Sequence, residues 1–239
     1  KFVEDLDADG QISFESVGSE ETQEALRKLV KVAKNLGQKY DVVVTNPPYM
    51  GASGMGAKLS KYVKDHYPDS KSDLFAVFIE KWNRMIVSHG YNSMVTMQSW
   101  MFLSSFEKMR TNILNTKAIT NLMHMENMVM GIAFGTAVTI FRNEYISNYK
   151  GTYNQIKLCD IENNRPKAFP VLENRFAQVA TDNFSKIPGS PVAYWVSEQI
   201  VEDFEKGKRL GNISKPRQGM ATTNNNRFLR LWYEVEINN

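Results

Sequence analysis

The first interpretable pattern along the chain is helical. After an irregular acidic stretch over residues 1–18, Ser19 can cap a helix opening on Glu20 and Glu21, acids suited to the positive end of a helix. Ala25, Leu26, Leu29, Val30, Ala33 and Leu36 then recur at helical spacing, and Gly37 supplies a stop. There the period changes. Tyr40-Asp41-Val42-Val43-Val44-Thr45 is a short β-branched run, which predicts a buried parallel strand. Asn46-Pro47-Pro48 ends it, because proline cannot donate to a sheet ladder. Gly51, Gly54 and Gly56 predict a mobile loop over residues 50–57, followed by a short helix around Lys58–Lys64.

A stronger amphipathic stripe follows. Leu74, Phe75, Phe78, Ile79, Trp82, Met85 and Ile86 predict a helix from Ser72 to His89, ended by Gly90, with Asp73 as its N-cap. Tyr91–Met97 reads as a strand, Phe106–Leu114 as a helix, and Ala118–Met125 and Thr136–Arg142 as two further strands. Strands alternating with helices predict an α/β fold with crossover connections and a mostly parallel sheet. Beyond residue 150 the periodicity weakens, and Pro166, Pro170, Pro188, Pro191 and Pro216 accumulate. This suggests one domain over residues 1–150, then a linker and the start of a second domain over 151–239. The chain opens on lysine and closes in Leu229–Ile237, which reads as a strand under way, so a fragment of a longer protein is expected.

Composition narrows the class. The 239 residues are 42% apolar and 11% aromatic, enough for a sizeable core, and no apolar run reaches the roughly 18 residues needed to cross a bilayer. The polar, acidic start carries no signal-peptide pattern, and the single cysteine, Cys159, excludes an intrachain disulfide and a cysteine metal cluster. A cytoplasmic protein without membrane contact is the expectation, with Cys159 in a buried strand. The net charge of +3 is mild, but Lys206, Lys208, Arg209, Lys215, Arg217, Arg227 and Arg230 form a run without an intervening acid. Such a run suits either phosphate contacts or a solvated face. His66, His89 and His124 lack ligand spacing and read as structural or surface groups, and Met123, Met125, Met128 and Met130 as adaptable packing. Residues 5–16 resemble a calcium loop at positions one, three, five, six and eight, but Ser16 stands where the bidentate glutamate is needed. An acidic surface turn is the better reading, and no metal site is expected.

The chemistry concentrates at Asn46-Pro47-Pro48-Tyr49. In open parallel sheets, ligands sit beyond the carboxyl ends of strands. An exocyclic adenine amine is a poor nucleophile, because its lone pair is delocalised into the ring. Two acceptors aimed at its hydrogens would localise that pair for attack on a sulfonium methyl. The Asn46 side-chain oxygen supplies one acceptor and the Pro47 carbonyl the other, held rigid by the two prolines. Tyr49 offers a face on which an extruded base stacks, worth roughly 1–3 kcal/mol.

The stretch from Asp41 to Tyr49 resembles the catalytic motif of amino-methyltransferases. Met50-Gly51 and Asp69-Ser70-Lys71-Ser72-Asp73-Leu74-Phe75 narrow the resemblance to the large DNA adenine-N6 methyltransferases of restriction-modification and BREX-type phage-defence systems. The resemblance covers Tyr40 to Arg142 and resumes over residues 217–228, which look like the lead-in to a target-recognition domain. It implies a partial Rossmann-like methyltransferase sheet and S-adenosyl-L-methionine as cofactor. Its implied partners are double-stranded DNA and other phage-defence proteins. It assigns catalysis to Asn46, Pro47, Pro48 and Tyr49, and places an aromatic before the strand at Thr136 against the base. Phe134 is the candidate, with Met130 as the alternative. Lys208, Arg209, Lys215, Arg217 and Arg227 become candidate DNA contacts. The family's glycine-containing cofactor turn should precede Asn46, yet residues 1–45 hold only Gly10, Gly18 and Gly37. The same motif also serves methylation of glutamine amides and ribosomal RNA amines, and a chain without its cofactor half could act as a non-catalytic binding module.

Overall fold

A computed structural model describes residues 20–175, 177–215 and 224–234. In chain order these form helix α1 (Glu20–Gly37), strand β1 (Tyr40–Thr45), helices α2 (Ala57–His66) and α3 (Leu74–Arg84), strand β2 (Ile86–Met97), helix α4 (Glu107–Thr116), and strands β3 (Ala118–Met125), β4 (Thr136–Arg142) and β5 (Lys150–Ile156). A two-residue hairpin, β6 (Ile161–Glu162) and β7 (Arg165–Pro166), precedes β8 (Ala177–Ala180). Helices α5 (Asp182–Lys186), α6 (Glu198–Lys206), α7 (Leu210–Ile213) and α8 (Asn225–Phe228) follow. Single 3₁₀ turns join several of them.

The main sheet has the order β1-β2-β4-β3-β5-β8. Parallel pairing of β1 with β2 and of β3 with β5, and antiparallel pairing of β4 with both β2 and β3, set β1, β2, β3 and β5 in one direction. Strands β4 and β8 run the other way. The fold is therefore α/β with a mostly parallel sheet, as the alternation of periods implies. The division expected at residue 150 falls on the first residue of β5, which pairs inside this sheet, and the sheet continues to Ala180.

The core joins α3, α4, the sheet and the segment after α5. Phe75, Ile79, Trp100, Phe106, Ile113, Ile119, Phe141, Tyr153, Phe184 and Tyr194 are all buried in one cluster. Burial of a side chain such as Phe75 contributes roughly 2–3 kcal/mol. Arg110 is also buried, and its guanidinium donates to the carbonyls of Trp100 at 2.8 Å, Leu103 at 3.0 Å and Ser190 at 2.8 Å, and to that of Gly189. One side chain thus ties α4 to the turn after β2 and to the segment after α5.

Four expectations are corrected. The helix from Ser72 stops at Arg84, and Ile86 begins β2, so Gly90 lies inside a strand rather than at a helix end. The apolar stripe ran on because Ile86 is itself buried, as the inward face of the helix is. Gly90 meets a different need: a Cβ there would lie 2.6 Å from the Asp41 carbonyl, where the β1–β2 register shifts. Strand β1 is not buried. It forms the sheet edge among the described residues, with Val42 57% and Val44 74% exposed, and the stripe of α1 is uncovered at Leu29 and Leu36. Apolar patterning reports that a partner is specified, and none of the described residues supplies one. Cys159 is an exposed free thiol in a 3₁₀ turn at Leu158–Asp160, not a buried strand residue. Near the end, Trp232–Glu234 form a 3₁₀ turn where a strand was expected. The calcium-loop resemblance over residues 5–16 and the Ser19 cap lie outside the described residues.

Candidate active site

Strand β1 delivers Asn46 to the carboxyl end of the sheet, one residue past Thr45, which pairs with Met94 of β2. Asn46 is exposed, Pro47 buried and Tyr49 half-buried. The Tyr49 hydroxyl donates to the Val95 carbonyl at 3.1 Å and lies 3.3 Å from Asn46 Oδ1. Val95 belongs to β2, so Tyr49 fixes the motif to the neighbouring strand. Burial pushes the Tyr49 phenol above its ordinary value of 10, so it stays a protonated donor at neutral pH. Among the described residues no donor engages the Pro47 carbonyl, which leaves it able to accept.

The loop after the motif has definite partners. Asp73 accepts from the Phe75 amide at 3.3 Å, capping α3 as expected. The same carboxylate oxygen accepts from the Met50 amide at 3.0 Å, and the Leu74 amide donates to the Met50 carbonyl at 2.9 Å. The start of α3 therefore clamps the residue next to Tyr49. The glycine-rich segment closes into a 3₁₀ turn at Ala52–Gly54, held by Ala52 N to Ser72 O at 3.0 Å.

Phe134, 85 residues beyond Tyr49 in sequence, meets it edge-to-face with centroids 5.6 Å apart, while Phe75 packs edge-on from the core at 6.1 Å. Phe134 is only partly buried. Met130 instead receives the Thr136 hydroxyl on its sulfur at 3.4 Å. The structure thus brings Asn46, Pro47, Tyr49 and Phe134 together and leaves Met130 to one side.

Sequence reasoning missed a second layer. The Gln98 amide donates to the Gly135 carbonyl at 3.0 Å, next to Phe134. Gln98 Oε1 bonds His124 Nε2, and His124 Nδ1 bonds the Tyr194 hydroxyl at 3.1 Å. Trp195 stacks on the imidazole at 6.1 Å. Burial first, then Arg175, pushes His124 down to about 4 against a weaker opposing effect of Glu126, so the ring is neutral near pH 7. A Cβ on Gly135 would lie 2.4 Å from the Gln98 side chain, so only glycine leaves room for this bridge. Separations of 26 and 70 residues gave no local pattern from which to foresee it. His66 stacks on Tyr62 and His89 pairs with Glu144 at 2.9 Å, the structural and surface roles expected of them.

The candidate DNA contacts are away from this pocket in sequence. Lys208, Arg209 and Lys215 are exposed after α6, and Arg227 lies on α8, its amide bonded to Asn224 Oδ1 at 3.1 Å. Arg217 lies outside the described residues. Among the described residues no cluster of metal-ligating side chains occurs, and no helix is long and apolar enough to cross a membrane.

Comparison with known proteins gives concordant matches. The adenine-specific methyltransferase PglX of Lacticaseibacillus casei (strain Zhang) is 37% identical over 248 residues, covering 99% of this chain and 20% of that protein. The adenine-specific methyltransferase BrxX of Escherichia coli O9:H4 (strain HS) is 36% identical, covering 92% of this chain and 19% of that protein. The chain thus spans about a fifth of the length of these relatives. A solved DrdV–DNA complex matches 76% of the chain at 14% identity with a TM-score of 0.47. Residues 2–129, more than half of the chain, match the Eco57I restriction-modification methylase, and the chain belongs to that family.

Proposed function

We propose that this chain is the base-orienting part of a DNA adenine-N6 methyltransferase that serves phage defence or restriction-modification. The observation that carries the reading is the convergence at one strand end of Asn46, Pro47, Tyr49 and Phe134. The adenine amine donates one hydrogen to Asn46 Oδ1 and the other to the Pro47 carbonyl. Both acceptors oppose delocalisation of the nitrogen lone pair into the ring, so that it points toward the methyl donor. The flipped base lies on Tyr49, with Phe134 bounding the pocket. When the amine enters, the Tyr49 hydroxyl keeps its bond to Val95 and Asn46 Oδ1 takes the amine instead. The names of the relatives, both adenine-specific methyltransferases, agree with this substrate.

S-Adenosyl-L-methionine supplies the electrophilic sulfonium methyl in this chemistry. The described residues do not fit that cofactor by themselves: β1 has a single neighbouring strand, and the only glycine between residues 20 and 45 ends α1. Cofactor binding is therefore proposed to draw on residues outside the described ones, with the open edge of β1 as the place where they would join the sheet. Lys208, Arg209, Lys215, Arg217 and Arg227 are proposed to contact DNA phosphates as the chain leads toward a target-recognition region. Other phage-defence proteins are proposed as partners on the same family grounds.

The test uses the intact protein. Wild type and Asn46→Ala are expressed in cells, and N6-methyladenine is mapped by single-molecule sequencing. A sequence motif methylated by wild type and not by Asn46→Ala is expected. Equal methylation by both would remove Asn46 from the chemistry, and no methylation by either would refute DNA methylation by this protein acting without its proposed partners.

A further inference from the structure

A cavity of about 410 Å³ opens between α3 and α4, at the end of the sheet opposite Asn46. The six residues of β1 separate its Lys39 from Asn46, roughly 20 Å along an extended chain. Its size is that of small-molecule sites rather than of packing defects.

The charges around it are unevenly matched. Glu80 accepts from the Ser70 hydroxyl at 2.6 Å and pairs with Arg84, so those two charges answer each other. Lys39 and Lys117 also line the cavity, and among the described residues neither forms an ion pair. The Lys117 ammonium is only partly exposed and donates to Asn143 Oδ1. Asn143 is itself fixed by donating to the Ile86 and Val87 carbonyls at 2.9 Å each. Burial lowers the Lys117 pKa first, and the nearby positive charge of Lys39 lowers it further. The charges left uncommitted around the cavity are thus two cations against the single carboxylate of Asp69, a positive surplus that a bound oxyanion would neutralise. Asp69, on the same wall, is free of side-chain partners among the described residues and can accept from a hydroxyl.

We propose that this cavity binds a small phosphate ester such as a sugar phosphate, its phosphate held by Lys39 and Lys117 and a ligand hydroxyl held by Asp69. The site is separate from the Asn46 pocket and does not depend on the methyltransferase reading. Its two lysines are placed by the starts of β1 and β3, and Asn143 presets the direction of Lys117.

Isothermal titration calorimetry of the intact protein with ribose 5-phosphate tests this, since that probe carries no adenine and cannot report on the Asn46 pocket. Saturable binding is expected for wild type and, unchanged, for Asn46→Ala. Affinity should fall at least tenfold in Lys39→Gln/Lys117→Gln and about threefold in the exposed single variant Lys39→Gln, whose fold is not at risk. Absence of saturable binding to wild type would overturn the proposal. So would equal affinity in wild type and Lys39→Gln, or loss of binding in Asn46→Ala.

Discussion

Replacing Tyr49 by phenylalanine and by alanine, in the intact protein, separates what its hydroxyl does from what its ring does. The hydroxyl donates to the Val95 carbonyl at 3.1 Å and lies 3.3 Å from Asn46 Oδ1. A net hydrogen bond of this kind contributes about 1 kcal/mol, or about fivefold in rate. The ring meets Phe134 at 5.6 Å and Phe75 at 6.1 Å, and in the proposed complex it carries the base. Base stacking alone is worth roughly 1–3 kcal/mol, which is about 5- to 150-fold, and each aromatic pair adds roughly 0.5–1.5 kcal/mol. Tyr49→Phe should therefore lose no more than about fivefold, and Tyr49→Ala at least a further tenfold. The assay is single-turnover methyl transfer to a duplex oligonucleotide, with DNA affinity measured in parallel. Because burial raises the Tyr49 pKa, wild type and Tyr49→Phe should also show superimposable pH profiles up to about pH 9. If phenylalanine is as poor as alanine, the ring does not carry the effect and the stacking argument fails.

Asp73→Ala removes the helix cap, worth about 1 kcal/mol, and also frees the Met50 amide, so methyl transfer should slow while Asp73→Asn restores most of it. Equal activity in Asp73→Ala and wild type would mean that the clamp on the loop after Tyr49 is only structural. His124 predicts a pH effect. Folded, it stays neutral down to about 4, whereas an unfolded imidazole takes its proton near 6.5, so in that window the unfolded chain binds more protons. Stability should fall as pH drops from about 6.5 to about 4, by about 2 kcal/mol between pH 7 and pH 5. Hydrogen exchange of β3 amides, corrected for intrinsic rates, reads this out, and His124→Gln should flatten it. Arg110→Met leaves four carbonyls without their donor and should cost about 3 kcal/mol or more, seen as a lower Tm. Arg110→Lys should not rescue, because one ammonium cannot reach the same spread of acceptors. A Tm within a degree of wild type would refute the tie.

What the sequence made legible was local. The strands at Ala118–Met125 and Thr136–Arg142 matched to the residue, because each is a short apolar-rich run set off by local breaks, Lys117 and Glu126 in one case and Gly135 and Asn143 in the other. The Asp73 cap and the position of Asn46 at a strand end are also local, each set within a few residues of a period change. The misreadings share a cause in long-range partners. Met85 and Ile86 extended the helical stripe because helix and strand bury into one core, and nothing in the spacing marks where one becomes the other. Gly90 looks like a helix stop, yet its need is the close Asp41 carbonyl on another strand. Tyr40–Thr45 looks buried because its valines are patterned for neighbours that the described residues do not include.

The same division runs through the site. Asn46 to Tyr49 could be proposed from the chemistry of an amine and two acceptors, since all the groups are adjacent in sequence. Phe134 required a neighbour across the sheet, and Gln98, His124 and Tyr194 required three segments at once. Those last residues stand behind Gly135 rather than beside Asn46, so their effect on the reaction would pass through the position of Phe134. This makes the proposed base pocket a product of strand order. With β4 inserted antiparallel between β2 and β3, the amino end of β4 arrives at the carboxyl ends of its neighbours, carrying Phe134 and Gly135 toward Tyr49. A parallel strand at that place would put its amino end, and the aromatic before it, at the far side of the sheet. The inserted strand is therefore what the proposed pocket depends on: it lets one aromatic follow β1 and another precede β4 and still meet at 5.6 Å.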